Sequence, residues 1–354
     1  MVEFVKELIR RLGEIASVSG FEDIDRDKIE ALVLPYFDSL EVTRTGSYLF
    51  RKDPAREGMP KILIDAHIDG IGLMVTKICE GGFLKFSTVG GVDTRILSGA
   101  DVTVYGKERV RGVIGSLAPH LMRREEAAKN PTVDKLFIDT GRDAEYLEKN
   151  TPIGSPVGFS YPVTELLNNR MVSAGLDNKA SVAIALATMK ILADEGSGAG
   201  VELLLSSREE LGGGVGAASA AFGDTPDYAI VLDVNFGFMP RDPGSDVAAY
   251  RRTAELGEGP VVSFAATTDR QMARRLLKIA QDNKIPCQSI VEGSRTGTNA
   301  DSMPLSGGGF PAVLFGVPLQ NMHTYSETVC ADDIVNAARI LALYIKEKAG
   351  EADE

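Results

Sequence analysis

Polar residues that can bind metal ions or move protons stand at the ends of apolar segments throughout this chain. They fall at five places: Ala66-His67-Ile68-Asp69, Leu176-Asp177-Asn178, Arg208-Glu209-Glu210, Leu232-Asp233-Val234 and Met322-His323-Thr324. Zinc and cobalt accept mixtures of imidazole and carboxylate ligands. Two metals that share one carboxylate, together with a base and an orienting group, need about this many side chains. The set therefore predicts a two-metal centre.

Three of these places combine a metal-binding interpretation with an ordinary structural one. His67 and Asp69 are two residues apart, so in an extended segment they share one side, where a carboxylate can fix an imidazole tautomer. Asp177 directly precedes a helical pattern and is also a natural N-cap. His323 follows a strand pattern by a short loop, where a single histidine is more often structural. These signals are weak alone and much stronger together.

Adjacent glutamates and an aspartate in an apolar run complete the set. Glu209 and Glu210 follow an apolar strand directly and point different ways, so one can bind a metal while the other handles a proton. A solvated pair of charges in a turn is the ordinary alternative. Asp233 lies in an apolar segment, where a lone carboxylate is costly to bury unless it is paired or bound to a metal. A cap at the end of the strand is its ordinary alternative.

Helical and strand patterns alternate along most of the chain. Such alternation predicts an α/β layered sheet, which builds its sites at strand ends. Helices are predicted at residues 1–16, 23–34, 178–195, 215–222, 269–283 and 332–348. Strands are predicted at residues 41–51, 61–66, 201–206, 228–234, 287–291 and 312–317. The glycine run Gly212-Gly213-Gly214 is interpreted as a tight turn from strand to helix, with a phosphate loop as the less favoured alternative.

A stretch from about residue 73 to residue 162 has a different character. Short β-like runs there are separated by glycine turns such as Gly81-Gly82 and Gly90-Gly91, which is typical of hairpins. This stretch predicts a small β-domain inserted into the α/β unit.

Composition restricts the function classes further. The chain has 354 residues and a formal net charge of −12, with no basic block, so it is a poor candidate for binding nucleic acid or anionic membranes. Its three cysteines, Cys79, Cys287 and Cys330, are scattered, which argues against a cysteine-rich zinc site and against a disulfide framework. The amphipathic start, residues 1–12, does not have the pattern of a signal peptide. We therefore expect a cytoplasmic protein.

The order of these motifs resembles the tetrahedral (TET) and glutamyl aminopeptidase family of di-metal peptidases, which is often labelled endoglucanase-like. Ala66-His67-Ile68-Asp69 looks like the family's Ala-His-x-Asp, and Ser19-Gly20-Phe21-Glu22 looks like its early Ser-Gly-x-Glu. Thr298-Asn299-Ala300-Asp301 is similar to another family segment. The resemblance spans almost the whole chain and implies an α/β fold with a zinc-peptidase-like catalytic domain, a central mixed sheet flanked by helices, and a PDZ-like insert.

The resemblance also implies domain limits and assembly. Residues 1–71 and 164–354 would form the catalytic domain, and residues 72–163 would form the inserted β-domain, which commonly makes oligomer contacts. A homo-oligomer is therefore expected, with a dodecamer as one form. His120 falls in the insert, where we interpret it as a structural or surface histidine. Its approach to an active site, in its own or a neighbouring subunit, is the alternative.

The resemblance further assigns a role to each site residue. His67 and Asp233 would bind one divalent metal, Glu210 and His323 would bind the other, and Asp177 would bridge both. Glu209 would be the general base that takes a proton from a metal-bridging water, and Asp69 would orient His67. The metals would be zinc or cobalt, with manganese as a further option. A cis peptide is expected between Asp177 and Asn178.

Some residues depart from the family pattern without removing a proposed ligand. They are Gly70, Asn178-Lys179, Asn299 and Gln320-Asn321. The function that follows is hydrolysis of the N-terminal residue from short peptides. A carboxypeptidase or deacylase with the same ligand order and a non-catalytic paralogue remain as alternatives. A cellulase would need only a carboxylate pair, which would leave His67 and His323 without a role.

Overall fold

A mixed eight-stranded sheet with helices on both faces forms the larger part of the molecule. The computed structural model describes residues 1–121, 123, 129–223, 225–237 and 254–351. With strands numbered in chain order, the order across this sheet is β1-β2-β12-β3-β13-β17-β15-β16. The eight strands are β1 (Ser39–Val42), β2 (Tyr48–Lys52), β3 (Lys61–His67), β12 (Gly200–Ser206), β13 (Tyr228–Leu232), β15 (Val261–Ala265), β16 (Gln288–Glu292) and β17 (Ala312–Gly316).

Four central strands of this sheet, β12, β3, β13 and β17, run parallel to one another, whereas β2 pairs antiparallel with β12, and β15 pairs antiparallel with β17. Their residues are almost entirely apolar and buried because helices cover both faces. Within β3, Ile62, Ile64 and Ala66 join the larger core on one face, and Leu63 joins a smaller core on the other. This confirms the α/β class and the mixed sheet.

Seven α-helices are described. They are α1 (Val2–Gly13), α2 (Arg26–Val33), α3 (Ala144–Asn150), α4 (Leu176–Glu195), α5 (Val215–Gly223), α6 (Arg270–Asp282) and α7 (Ala331–Glu351). The alanine-rich helix α4 is buried along most of its length, and it packs against α1, α7 and β3. Helix α5 belongs to the smaller core on the opposite face. Among the described residues, no helix is both long enough and apolar enough to cross a bilayer.

The stretch that the glycine turns single out folds as a closed six-stranded barrel with its own apolar core. Its strands follow one another in the order β4-β5-β8-β7-β6-β9 around the barrel. They are β4 (Gly72–Ile78), β5 (Phe83–Val89), β6 (Asp101–Tyr105), β7 (Arg109–Gly115), β8 (Phe137–Asp139) and β9 (Pro156–Phe159). The PDZ-like character implied by the resemblance stays a prediction.

Five short strands lie outside both sheets described so far. A three-stranded sheet contains β10 (Thr164–Leu166), β11 (Arg170–Ser173) and β19 (Glu327–Cys330), and a two-stranded one contains β14 (Asn235–Phe236) and β18 (Pro318–Leu319). The sequence patterns predicted none of these.

One strand prediction is wrong. Residues 41–51 were expected as a single strand, but they contain the end of β1, a turn and β2, which pair antiparallel. Gly46 takes a left-handed φ of 90° in this turn, and the Ser47 carbonyl accepts the Thr43 N–H. Alternation of apolar and polar residues continues across the turn and conceals it.

Candidate metal and catalytic site

The predicted site residues meet at one edge of the main sheet. His67 ends β3, Asp233 follows the end of β13, and the pair Glu209-Glu210 begins a 3₁₀ turn just after β12. These three strands are parallel neighbours, so their carboxyl ends lie side by side. The strand positions alone therefore bring these four side chains together.

Asp177 and His323 reach the same edge from other elements. Asp177 lies at the start of α4, and the peptide bond between Asp177 and Asn178 is cis, which confirms that prediction. The Asn178 side chain donates a hydrogen bond to the Leu232 carbonyl at 2.9 Å, which ties the start of the helix to the end of β13. His323 lies in the loop between β18 and β19 with a left-handed φ of 60°.

His67, Asp177 and Asp233 form what we call the inner group. The His67 Nε2 atom lies 3.2 Å from Asp177 Oδ1 and 3.7 Å from Asp233 Oδ1. All three residues are buried. Each offers one ligand atom, and these atoms all lie within 4.8 Å of one another.

Asp177, Glu210 and His323 form the outer group. The His323 Nε2 atom lies 3.3 Å from Glu210 Oε2 and 3.5 Å from Asp177 Oδ2. Asp177 therefore turns one oxygen to each histidine, which is the arrangement of a carboxylate shared between two positions. Glu209 Oε2 approaches the inner group and lies 3.8 Å from His67 Nε2.

Asp69 contacts His67 differently from the sequence interpretation. The His67 Nδ1 atom lies 2.9 Å from the backbone carbonyl oxygen of Asp69, whereas the nearest carboxylate oxygen is 3.7 Å away, beyond hydrogen-bond distance. The carboxylate instead accepts the backbone N–H groups of Glu209 at 3.0 Å and Glu210 at 3.1 Å. The expectation that the Asp69 carboxylate fixes the imidazole is thus corrected: its carbonyl does so.

Electrostatics at the site show an excess of negative charge. Burial, reinforced by neighbouring carboxylates, raises the pKa of Glu209 to about 8. The pKa of Glu210 is raised to about 8 by burial and by Asp177. A hydrogen bond to Asp177 raises the pKa of His323 to about 9. Carboxyl groups packed this closely hold protons strongly unless a cation offsets their charge.

Divalent cations fit this donor set. Each group combines one imidazole with two carboxylates, which suits zinc, cobalt or manganese. Cations there would compensate the buried negative charge that raises the glutamate pKa values. The residues present are therefore those that a metal-dependent enzyme requires.

A cleft of about 410 Å³ opens over both groups. Its lining includes Phe236, Ile290, Arg295 and Thr296 from the main domain and Gly91 from the barrel. The barrel thus reaches the site through one glycine turn. His120, by contrast, is an exposed residue of the barrel region and does not line the cleft.

Two buried glutamates with contacts to the site were missed as functional residues. Glu22 lies in the Ser-Gly-x-Glu segment and Glu327 opens β19, and both accept backbone hydrogen bonds from segments that carry site residues. An acidic residue opening the apolar strand β19 was an available signal for Glu327.

A polar network behind the site was also missed. Buried Asp65 accepts a hydrogen bond from the Asn299 side chain at 2.9 Å, and burial raises the pKa of Asp65 to about 6. The same amide group of Asn299 donates to Ser206.

Comparisons with known proteins find similarity to aminopeptidases over nearly the whole chain. The family model of the M42 glutamyl aminopeptidases matches residues 46–340. The lysyl aminopeptidase of Pyrococcus furiosus is 27% identical over 347 residues, which are 96% of this chain and 96% of that protein.

Two solved structures show the same similarity in three dimensions. The TET aminopeptidase of a marine sediment archaeon, a member of the Thaumarchaeota, has a TM-score of 0.88 at 26% identity and covers 99% of both chains. The TET1 peptidase of Pyrococcus horikoshii has a TM-score of 0.81 at 27% identity, covering 97% of this chain and 99% of that one.

Proposed function

The chain belongs to the M42 glutamyl aminopeptidase family, and from that membership we propose the residues with which it works as a metal-dependent aminopeptidase. The inner group holds one divalent metal ion and the outer group holds the second, with Asp177 shared between them. The observation that carries this assignment is the pair of Asp177 oxygens, one directed at each histidine. The ions are zinc or cobalt, with manganese as a further option.

Glu209 is the general base in this proposal. Its carboxylate belongs to neither group, lines the cleft and has its Oε2 atom beside the inner group. Metal ions held there would supply Lewis acidity to the scissile carbonyl and lower the pKa of a water molecule. Glu209 takes the proton of the attacking water and delivers it to the leaving amine.

The neighbouring residue Glu210 has a different task. Its Oε2 atom faces His323, so it completes the outer group rather than exchanging protons with water. Asp69 fixes both glutamates through their backbone N–H groups and fixes His67 through its carbonyl. One turn thus presents a base and a ligand in fixed relative positions.

The substrates in this proposal are short peptides with a free N-terminal amine. The cleft of about 410 Å³ accommodates only a few residues. Metal ions held at the cleft floor would bind a free N-terminal amine and polarise the first peptide bond.

The proposal extends to domains and assembly. Residues 1–71 and 164–354 form the catalytic domain, and residues 72–163 form the insert, whose barrel has a separate core. The similar TET1 peptidase of Pyrococcus horikoshii is described as assembling into a tetrahedron or a large octahedral shell, and we propose a homo-oligomer of twelve subunits here. Light scattering after size exclusion tests this assembly. Three free cysteines favour a cytoplasmic location.

The experiment that tests the activity combines metal analysis with a substrate panel. Purified protein is assayed on aminoacyl p-nitroanilides with acidic, basic and apolar residues, with Co²⁺ or Zn²⁺ and with a chelator. We expect metal-dependent hydrolysis that the chelator abolishes. N-acetylated anilides serve as the control and should resist cleavage. Protein that binds no metal and cleaves no anilide, or cleaves only acetylated substrates, would contradict the proposal.

A further inference from the structure

The turn that carries Glu209 and Glu210 rests on two buried carboxylates. Asp69 accepts the N–H of Glu209 with Oδ1 at 3.0 Å and that of Glu210 with Oδ2 at 3.1 Å. Glu22 accepts the N–H of Arg208 with Oε1 at 3.0 Å. Three consecutive backbone donors are therefore satisfied by side chains that belong to neither metal-binding group.

A third buried carboxylate joins two further segments that carry site residues. Glu327 accepts the N–H of Asp177 with Oε2 at 3.0 Å and the N–H of His323 with Oε1 at 2.8 Å. It thus connects the start of α4 to the loop that carries the outer histidine. Asp177 and His323 both belong to the outer group.

Backbone strain shows why such support is needed. Arg208 and His323 both have a φ of 60°, the left-handed region that residues other than glycine occupy at a cost. In each case the N–H of the strained residue is donated to a buried carboxylate, Glu22 or Glu327. A hydrogen bond from the strained residue to a buried acceptor offsets part of that cost.

We propose that Glu22, Asp69 and Glu327 are positioning residues. Their carboxylates hold the backbone of two turns so that ligand and base side chains meet at fixed distances. This inference rests on the function proposed above, because it assumes that those side chains bind metal ions and move a proton. None of the three contacts the substrate or needs to bind a metal ion.

Replacing a carboxylate by the corresponding amide should affect these three residues differently, because they use their oxygens differently. In Asp69 and in Glu327, each of the two carboxylate oxygens accepts one backbone N–H. An amide replaces one of these oxygens with an NH₂ group, which cannot accept, so one hydrogen bond is lost. Glu22 uses the single atom Oε1 for two donors, the N–H groups of Gly20 at 2.8 Å and of Arg208. A glutamine can keep both of these bonds.

The experiment compares the isosteric variants Asp69→Asn, Glu327→Gln and Glu22→Gln with Glu22→Ala. Zinc affinity of the metal-free protein is measured by competition with a chromophoric chelator, and kcat and KM are measured at saturating Zn²⁺. We expect a loss of about 10–100-fold in zinc affinity or kcat for Asp69→Asn, Glu327→Gln and Glu22→Ala. Glu22→Gln should stay within about threefold of the native protein, with KM little changed throughout.

Asp333→Asn is a matched control for general destabilisation. Asp333 is buried and also accepts two backbone N–H groups with its two oxygens, those of Gly257 and Gly259, but this turn contributes no residue to the site. The variant should lower Tm while leaving zinc affinity and kcat within about twofold. If it lowers zinc affinity as much as Asp69→Asn does, the positioning role is refuted.

A second-site substitution separates positioning from charge. Glycine adopts a left-handed φ without strain. The double variant Glu22→Ala/Arg208→Gly should therefore have a kcat at least about threefold higher than Glu22→Ala alone. No restoration, together with equal damage from Glu22→Gln and Glu22→Ala, would show that the charge matters and would overturn the proposal. If Glu327→Gln yields no folded protein, the proposal is tested by the difference in zinc affinity and kcat between Asp69→Asn and Asp333→Asn.

Failure of the proposed function has a separate signature. Native protein that binds zinc but cleaves no anilide would refute the activity, while the zinc affinities of the variants would still test the positioning role. Zinc affinities that are equal in all variants, with native hydrolysis intact and kcat unaffected, would refute positioning alone.

Discussion

The inner and outer groups share Asp177 but differ in burial and in what surrounds them. His67 of the inner group is 2% exposed, and its partners come from the main sheet and α4. The side chain of His323 in the outer group is 37% exposed. A Cβ atom added to Gly91 of the barrel would lie only 2.9 Å from His323 Nδ1. The inner group is therefore set by the main sheet and α4, whereas the outer group also borders the barrel.

This difference in burial indicates that the two groups, although similar in composition, have different properties. A buried position keeps its ligands fixed because the surrounding core is close-packed. A position beside the cleft and an inserted domain is accessible to substrate and adjustable by its surroundings. We expect the inner position to bind its metal ion more tightly and the outer one to respond more to changes in the barrel.

Substitution of the two adjacent glutamates gives the largest expected contrast. Glu209→Gln should keep both metal equivalents and lose about 10²–10⁴-fold in kcat, because it removes the proton acceptor but no ligand. Glu210→Gln should lose the outer metal ion. Elemental analysis and steady-state kinetics measure both, with Glu145→Gln on the exposed side of α3 as the control. Loss of metal from Glu209→Gln would mean that the roles of the pair are exchanged.

Removal of either histidine separates the two groups. A metal ion that polarises a carbonyl contributes several kcal/mol to catalysis, so we expect His67→Ala and His323→Ala both to lower kcat by at least about 100-fold. Metal content should differ: His323→Ala should retain about one equivalent in the inner group. In His67→Ala, the inner ion should be lost. Equal loss of both ions from His323→Ala would contradict the independence of the inner group.

Metal removal from the native protein tests the difference in burial directly. Brief treatment with a chelator should remove one equivalent, and the second should leave more slowly because its ligands are buried. Activity should fall with the first equivalent and return when Co²⁺ or Zn²⁺ is added back. Time-resolved metal analysis of the desalted protein follows both phases. A single phase for both equivalents would show that the two positions are equally accessible.

Substitution of the glycine that borders the outer group has the smallest expected effect. In Gly91→Ala the added methyl group would press on His323, and overpacking of this kind costs about 1–3 kcal/mol. We expect weaker binding of the outer metal ion, by about tenfold, with inner binding unchanged. Gly308→Ala is the control, because its Cβ would meet no atom within 4 Å. Equal effects of both substitutions on outer binding would argue against a contribution from the barrel.

Sequence reasoning located the residues of the candidate site better than the residues that hold them in place. His67, Glu209 and Asp233 could be located because each stands at the end of an apolar strand or shortly after it, and parallel strands bring their ends together. The cis peptide after Asp177 followed from the family resemblance. The glycine run 212–214 indeed forms a turn with left-handed φ angles ahead of α5.

Partners that are distant in sequence could not be predicted. Glu22 and Arg208 are 186 residues apart, and no periodicity links a carboxylate to a backbone N–H at such a distance. The carboxylate of Asp69 was assigned to His67 because they are close in sequence, yet it turns to Glu209 and Glu210. Residue type and spacing reveal which face a side chain shares, but its hydrogen-bond partner depends on tertiary packing.

The central claim is that two metal ions lie on either side of Asp177. A crystal structure of the zinc-loaded protein, with anomalous data collected at the zinc edge, tests it most directly. We predict two peaks per subunit, one contacted by His67 and Asp233 and the other by Glu210 and His323, with one Asp177 oxygen on each and Glu209 on neither. A single peak, or a peak bound directly by Glu209, would contradict the account.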